Sequence, residues 1–409
     1  MSEAFDPLSV AQDLSEIDVS DPMIFKHDAF RPIFARLRQE APVHYCKESP
    51  FGPYWSITRF HDIMAVDKNH HDFSSQGGVS IGNRSADFEA PNFISMDPPK
   101  HDLQRKAVTG VVAPMNLAKL EPVIRERAGW ILDDLPTGES FNWVDQVSIE
   151  LTTQMLATIF DFPFEERHKL TAWSDLATSS VATGGTLPDE DRREGLMQCL
   201  SEFTDLWNER VHWDPSEHND LITLMANDPA TAEMDPMEYL GNLILLIVGG
   251  NDTTRNSISG GVLGLNQYPL EYQKLSANPG LIPSMIPEII RWQTPLTHMR
   301  RIAKHDVSFQ GQRIKAGDKV VMWYVSGNRD ETAIDDPERF WIDRQNPRHH
   351  LSFGFGIHRC MGNRLAEMQL RVLWEEIMDR FEHVEVVGEP VRIASNFVRG
   401  IAELPVRVH

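Results

Sequence analysis

The sequence predicts a mainly α-helical protein with a helix-rich body and a minor β-sheet region. Long stretches carry apolar residues at helical spacing, whereas runs with strand character are short and cluster near the two ends. We find no internal repeat and no low-complexity linker, so the 409 residues are expected to form one domain, 1–409. Residues 1–22 are acidic and polar, and we expect this segment to be mobile.

The predicted helices and strands follow from these periodicities. The helices are Leu117–Leu135, Ser148–Phe160, Arg193–Val211, Pro236–Asn266, Leu281–Trp292 and Met361–Phe381. The strands are Val43–His44, Tyr54–Ile57, Val307–Phe309, Lys319–Tyr324, Val384–Val387 and Leu404–Val408.

Charge and hydropathy exclude several classes of function. The chain has 39 basic and 60 acidic residues, a net charge of −21. This balance disfavours nucleic acid or an anionic membrane as the main partner. No apolar run is long enough for a membrane span. The N-terminus lacks the basic start and apolar stretch of a signal peptide, so a cytoplasmic protein is expected.

The cysteine content excludes other chemistry. Only Cys46, Cys199 and Cys360 are present, and they lie far apart. Neither a disulfide framework nor a cysteine-rich zinc site fits this pattern. Cys46 and Cys199 are interpreted as small buried apolar side chains.

Cys360 differs because it lies in a glycine-rich loop that runs into a helix. Residues 353–362 read FGFGIHRCMG. A thiolate ligand must be deprotonated, and a helix N-terminus supplies positive charge and N–H donors for that purpose. Gly356 and Gly362 would let the backbone turn sharply and approach a flat ring. The alternative is a glycine-rich turn around a buried cysteine.

A second unusual segment interrupts an apolar helix. The run Leu243–Val248 leads into GGNDTT at residues 249–254. Gly-Gly and a β-branched Thr are poor helix formers, so we expect a local distortion there, with Asp252 and Thr253 as an acid–alcohol pair in an apolar wall. Alternatively, the helix ends at Gly-Gly and Asp252 caps a second helix.

The cysteine loop resembles the haem-binding loop of the cytochrome P450 superfamily, whose pattern is Phe-Gly-x-Gly-x-His-x-Cys-x-Gly. The resemblance implies a P450 fold with haem b buried between two central helices and Cys360 as the iron ligand. His101, Arg105, Arg301 and His358 match the positions that bind the haem propionates. Further haem-contacting positions are matched by Phe353, Gly354, Gly362 and Gly249.

The segment 249–254 is similar to the family pattern Ala/Gly-Gly-x-Asp/Glu-Thr, with Gly249 at the first position. The reaction of O₂ at the iron consumes protons. The resemblance implies that Thr253 holds water there and that Asp252 relays protons from solvent.

The family's Glu-x-x-Arg helix is matched by Glu288 and Arg291, with Arg344 as the second arginine of the network. Residues three apart on a helix share a face and can pair. On its own such a pair is often a weak surface ion pair. In the family it is buried, so all three residues are assigned a structural role.

The segments that line the substrate pocket in this family are largely apolar here, which favours a hydrophobic substrate. Residues 96–102, 248–256, 294–301 and 396–400 resemble the bacterial subgroup that hydroxylates medium-chain alkanes and fatty acids at the terminal carbon. A terpenoid hydroxylase, a peroxide-driven peroxygenase and a haem sensor or carrier are the alternatives. The candidate substrate contacts are Phe88, Ile94, Leu246, Val248, Leu296, Met299, Phe397 and Val398.

Electrons are expected from separate proteins, a ferredoxin and its reductase. We find no flavin module and no cysteine set for an iron–sulfur cluster. A basic patch on the thiolate side is the candidate docking surface, with a merely solvated face as the alternative. Its residues are Lys106, Arg359, Arg364 and Arg371.

Overall fold

The computed structural model describes residues 13–83, 88–179, 185 and 187–409. The predicted mobile N-terminal segment lies outside the described residues at positions 1–12. From Asp13 onward this segment packs against the body, and Ile17 and Val19 are buried.

Helices dominate the fold, as the periodicity predicted. The predicted helices are present, with ends shifted by about a turn or less. A short π-helical segment, Val144–Ile149, leads directly into α6. The helices are α1 (Pro22–Lys26), α2 (Phe30–Glu40), α3 (Phe60–Lys68), α4 (Lys100–Thr109), α5 (Pro114–Asp133), α6 (Glu150–Phe160), α7 (His168–Thr178), α8 (Asp189–Arg210), α9 (Leu221–Asn227), α10 (Pro236–Gln267), α11 (Pro269–Ala277), α12 (Ile282–Gln293), α13 (Tyr324–Gly327) and α14 (Asn363–Arg380).

The strands form small sheets around the helical body. They are β1 (Val43–Cys46), β2 (Tyr54–Ile57), β3 (Phe73–Ser74), β4 (Phe141–Asn142), β5 (Met299–Ala303), β6 (Val307–Phe309), β7 (Gln312–Ile314), β8 (Lys319–Met322), β9 (Val384–Val386), β10 (Val391–Arg392), β11 (Ile401–Glu403) and β12 (Pro405–Val408).

The largest sheet has the order β1-β2-β8-β5-β3, in which only β2 and β8 pair in parallel. A three-stranded sheet has the order β4-β12-β9, and β6-β7 and β10-β11 form two-stranded ribbons. Strand β5 belongs to none of the predicted runs, because its Met-Arg-Arg-Ile-Ala sequence lacks a simple alternation. It brings Arg301 into the fold interior.

Helix α10 passes through the centre of the molecule. Asp235 caps its start by accepting hydrogen bonds from the N–H groups of Met237 and Glu238, and Pro236 occupies the first position. The helix packs against α6, α7, α12 and α14. Its buried face joins the main hydrophobic core, which includes Trp292 and Trp374. No helix among residues 13–83, 88–179 and 187–409 is long and apolar enough to cross a membrane.

Glu288, Arg291 and Arg344 lie together in a buried network. The Arg291 guanidinium donates to both oxygens of Glu288 at 2.8 Å, and Arg344 donates to the same carboxylate at 3.1 Å. Arg291 also donates to the carbonyl oxygens of Asn328 and Pro337. The network therefore joins α12 to the irregular chain that leads towards the cysteine loop.

Candidate active site

A cavity of about 1280 Å³ separates α10 from the cysteine loop and the start of α14. Leu246, Gly249 and Thr253 of α10 form one side of it. Phe353 and Cys360 form the opposite side. The two sequence segments that carried unusual residues thus both line one cavity.

The loop geometry directs Cys360 towards this cavity. Gly354 and Gly356 adopt positive φ angles of 64° and 67°, a conformation that favours glycine. The N–H of Cys360 donates to the carbonyl of Phe353 at 2.8 Å, which closes the loop. Gly362 was predicted to turn sharply, but its φ is −83° and it serves as the N-cap of α14.

The environment of the Cys360 sulfur combines desolvation with positive potential. The surrounding protein raises the pKa of the thiol, whereas the N–H groups of Gly362 and Asn363 and the guanidinium of Arg105 act to lower it. These donors would stabilise a thiolate. Cys46 and Cys199 are buried, and burial raises the pKa of both thiols.

His101 and His358 meet at one edge of the site. Their rings pack edge to face, with centroids 4.3 Å apart. His358 Nε2 lies 2.9 Å from the Ser75 hydroxyl, and His101 Nδ1 lies 2.7 Å from Asp102. The remaining nitrogens, His101 Nε2 and His358 Nδ1, are buried and have no hydrogen-bond partner among the described residues. Burial, with nearby Arg301, lowers the pKa of His358 to about 2.

Asp67, which the sequence analysis missed, connects the haem-edge residues to the loop. Its buried carboxylate accepts hydrogen bonds from Arg301 at 2.6 Å, from the Tyr324 hydroxyl at 2.8 Å and from the N–H of Phe355 at 2.7 Å. Burial raises the pKa of Asp67, against the effect of these donors. Its position on the apolar face of α3, four residues after Ile63, was the available signal.

Arg105 completes this edge of the cavity. Its guanidinium lines the cavity and donates to the carbonyl oxygen of Arg359, next to Cys360. Desolvation lowers the pKa of Arg105, while the Cys360 sulfur opposes that shift. Helix α4 is thereby attached to the cysteine loop.

On α10, Thr253 lines the cavity and Asp252 lies behind it. The Thr253 hydroxyl donates to the Gly249 carbonyl at 2.9 Å. The helix continues through Gly249 and Gly250 without a break, so it does not end there and Asp252 does not cap a second helix. Packing on both sides outweighs the poor helix propensity of these glycines. Asp252 is fully buried and does not reach the cavity wall.

Most of the candidate substrate contacts line the cavity. Val398 does not. It forms a bridge to Leu296, and adjacent residues of an extended chain point to opposite sides, so Phe397 faces the cavity and Val398 faces away. Helix α6 adds wall residues that the sequence analysis missed, since nothing in its periodicity separates them from ordinary core. The predicted residues on the wall are Phe88, Ile94, Leu246, Val248, Leu296, Met299 and Phe397.

Comparison with known proteins identifies this arrangement. A family model described as cytochrome P450 matches residues 277–404. The chain is 34% identical to linalool 8-monooxygenase from Pseudomonas putida, over 95% of this chain and 98% of that protein. The chain belongs to the cytochrome P450 superfamily. It is also 31% identical to a methyl-branched lipid omega-hydroxylase from Mycobacterium bovis, over 91% of this chain and 90% of that protein.

A solved P450 structure agrees over nearly the whole chain. CYP153D17 from Sphingomonas sp. PAMC 26605 superposes with a TM-score of 0.90 at 47% identity, covering 96% of this chain and 98% of the other. The fold is therefore the P450 fold, and the protein is a haem-thiolate monooxygenase.

The residues of this P450 fit haem b. A flat ring with a sulfur ligand on one face and two carboxylates at its edge requires a thiolate and several buried donors. Cys360 faces the cavity, and Arg105 and Arg301 lie on its wall. The two orphaned histidine nitrogens, His101 Nε2 and His358 Nδ1, supply buried positions for a propionate oxygen.

Proposed function

We propose that this P450 hydroxylates the terminal carbon of a medium-chain fatty acid or alkane with electrons from a separate ferredoxin. The observation that carries the proposal is the composition of the cavity wall. Apolar side chains from α10, residues 88–94, residues 296–299 and Phe397 surround the space in front of Thr253. Such a wall selects by shape and hydrophobicity.

Terminal attack requires that the chain end be aimed, because a methyl C–H bond is stronger than the methylene C–H bonds beside it. A narrow apolar passage that holds the chain extended supplies this orientation. The resemblance to the alkane and fatty-acid hydroxylases and the omega-hydroxylase relative support this choice. The linalool monooxygenase relative supports the alternative, a terpenoid substrate.

When bound, the haem supplies the iron that activates O₂. The protein's own residues would bind the haem, hold water and move protons. Cys360 would hold the iron through its sulfur. Thr253 lines the cavity and offers a hydroxyl that can hold water. Asp252 behind it would take up and release the protons. Arg255, which stays protonated, would hold the Asp252 carboxylate in place and connect it to Asp175. This delivery route favours an O₂-dependent enzyme over a peroxide-driven one.

The decisive experiment is optical titration with fatty acids and alkanes of graded length, followed by product analysis. A shift in the haem spectrum and a terminal alcohol as the main product are expected. Leu296→Ala, on the wall, should move hydroxylation towards subterminal carbons. Val398→Ala, next to Leu296 but off the wall, is the matched control and should leave the product ratio unchanged. The absence of a shift with every linear chain would refute the substrate assignment.

Three of the four residues of the proposed ferredoxin-docking patch are the better candidates for docking. Lys106, Arg359 and Arg364 are exposed and form no ion pair with any described residue. Arg371 instead forms ion pairs with Glu121 at 2.7 Å and Glu375 at 2.8 Å. These carboxylates offset its positive charge, so it should attract an acidic partner less strongly. Arg359 is also near α4, since its carbonyl accepts from Arg105.

Charge reversal tests this patch. Arg364→Glu should raise the KM for ferredoxin and weaken the salt dependence of reduction, because it replaces an attractive charge near the thiolate side. Arg313→Glu, on the β6-β7 ribbon, is the control with the same charge change. Equal effects of both variants would count against a localised docking site.

A further inference from the structure

The cavity wall carries one cation that does not belong to the haem edge. Among the residues that the structure describes on this wall, the cationic side chains are Arg105, Arg192 and Arg301. Arg105 and Arg301 belong to the haem edge. Arg192 lies in the first turn of α8, beside Phe88 and among the apolar residues proposed to meet the substrate.

Arg192 is well shielded but weakly paired. Its side chain is only 12% exposed, and its guanidinium carbon lies 5.9 Å from the centre of the Phe88 ring. Its Nε and Nη2 both approach the same oxygen of Asp189, at 3.4 and 3.3 Å. Asp189 is itself 48% exposed. A guanidinium has five N–H donors, so this single long contact leaves Arg192 able to bind a further anion.

Two further carboxylates on the cavity wall, Asp18 and Asp21, have other partners. Asp18 accepts a hydrogen bond from the Tyr54 hydroxyl at 2.7 Å, and Asp21 accepts from the N–H of Met23 at 2.8 Å. Both therefore stabilise the chain around them. Among the described residues, the carboxylate that forms an ion pair with Arg192 is that of Asp189.

We infer that Arg192 binds the carboxylate of a fatty acid whose chain runs along the apolar wall towards Thr253. The inference rests on the proposed terminal hydroxylation and selects the acid over the alkane as the preferred substrate. An arginine matches a carboxylate through two parallel hydrogen bonds. The apolar residues of the wall can contact the methylene groups equally well at many positions along the substrate chain. The carboxylate end that binds Arg192 therefore fixes the position of the substrate.

An anchored carboxylate also makes regioselectivity depend on chain length. The distance from Arg192 to the reacting centre is constant, so a chain of one length places its methyl group there and a longer chain presents an earlier carbon. An alkane has no such anchor and can slide. Fatty acids of increasing length should therefore change their product pattern more abruptly than alkanes of the same lengths.

Binding titrations of the holoenzyme test this assignment. A linear fatty acid and the primary alcohol of the same carbon number are titrated by their effect on the haem spectrum. Arg192→Gln should raise the Kd of the acid about tenfold, because a charged hydrogen bond is lost from a partly shielded site. The Kd of the alcohol should stay the same. Arg192→Lys keeps the charge and should retain part of the preference.

Arg193→Gln is the matched control. Arg193 is the next residue on α8 and lies 5.7 Å from the same Phe88 ring, but it does not line the cavity. It should leave the ratio of the two Kd values unchanged. An Arg192→Gln enzyme with the wild-type ratio would overturn the anchor while leaving terminal hydroxylation in place. If neither the acid nor the alcohol perturbs the spectrum of the wild type, the proposed function fails and the anchor fails with it.

Discussion

The carboxylate of Asp252 accepts a hydrogen bond of 2.5 Å from Arg255, which lies one turn farther along α10. Both side chains are buried. The same guanidinium donates to Asp175 of α7 at 3.1 Å, and the Asp175 side chain is 55% exposed. One arginine thus connects the buried acid behind Thr253 to a carboxylate at the surface.

Replacing Arg255 by Gln should move the pH dependence of turnover to higher pH. Burial raises the pKa of Asp252, and Arg255 opposes that rise. Without the guanidinium the carboxyl holds its proton to a higher pH. The measurement is kcat against pH with saturating reduced ferredoxin, in the wild type and in the variant.

Asp175→Asn should act in the opposite direction. The charge of Asp175 raises the pKa of Asp252, so its removal should shift the same midpoint to lower pH. The shift should be smaller, because solvent screens a carboxylate that is more than half exposed. Movement of both midpoints in one direction would contradict a relay through Asp252.

Asp67→Asn should destabilise the haem-free protein by about 3–5 kcal/mol, because it leaves the buried Arg301 guanidinium without its counterion. The free energy of urea unfolding and the fraction of haem retained are the readouts. Asp62→Asn on the same helix is the control. Asp62 accepts one hydrogen bond from the neutral Gln310 amide at 2.6 Å, so its loss should cost about 1 kcal/mol.

Gly356→Ala should prevent the cysteine loop from forming its present shape. The added Cβ would lie 2.6 Å from the carbonyl oxygen of Asp67, and φ at this position is +67°. Gly311→Ala separates the two effects, since φ there is +78° but nothing lies within 4 Å. The Gly311 variant should lose about 1–2 kcal/mol from backbone strain alone. The Gly356 variant should lose more and bind less haem, measured by the absorbance of the reduced CO complex.

His298 should make the protein less stable as the pH falls. Its Nε2 accepts a hydrogen bond from the N–H of Ile81 at 3.0 Å, so the buried ring must stay neutral. Burial lowers its pKa from 6.5 to about 3. Between these values the unfolded chain binds a proton that the folded chain does not, and stability falls by about 1.4 kcal/mol per pH unit as the pH decreases.

The His298→Gln variant checks this slope. Its free energy of unfolding should fall less steeply than that of the wild type over this pH window. His212→Gln, on the surface, should keep the wild-type slope. Identical slopes in all three proteins would show that protonation of His298 is not linked to unfolding.

The sequence predicts those parts of the site that local spacing specifies. The cysteine loop and the Asp252–Thr253 pair are each a contiguous segment of the sequence. Their residue types indicate a thiolate ligand and a proton-delivery pair. Asp67 is different, because its partner Phe355 is 288 residues away and an isolated Asp near a helix end has many explanations. Arg192 carries no pattern at all, since only the fold places it on the cavity wall.

The wrong assignment of Val398 as a substrate contact arose because the sequence does not show in which direction a side chain points. Phe397 and Val398 are neighbours with similar hydrophobicity, and only the bridge to Leu296 decides which one faces the cavity. The poor helix propensity of Gly249 and Gly250 also allowed the helix to end there. The core around α10 keeps that helix continuous, which is a tertiary effect that a short window of sequence does not contain.

The contact between Asp67 and the Phe355 N–H also has a consequence for biosynthesis. The carboxylate is synthesised 288 residues before the N–H that it binds. A loop of this length is closed late, after nearer contacts have formed. We therefore expect that a nascent chain on the ribosome cannot retain haem until the segment beyond Phe355 has left the exit tunnel.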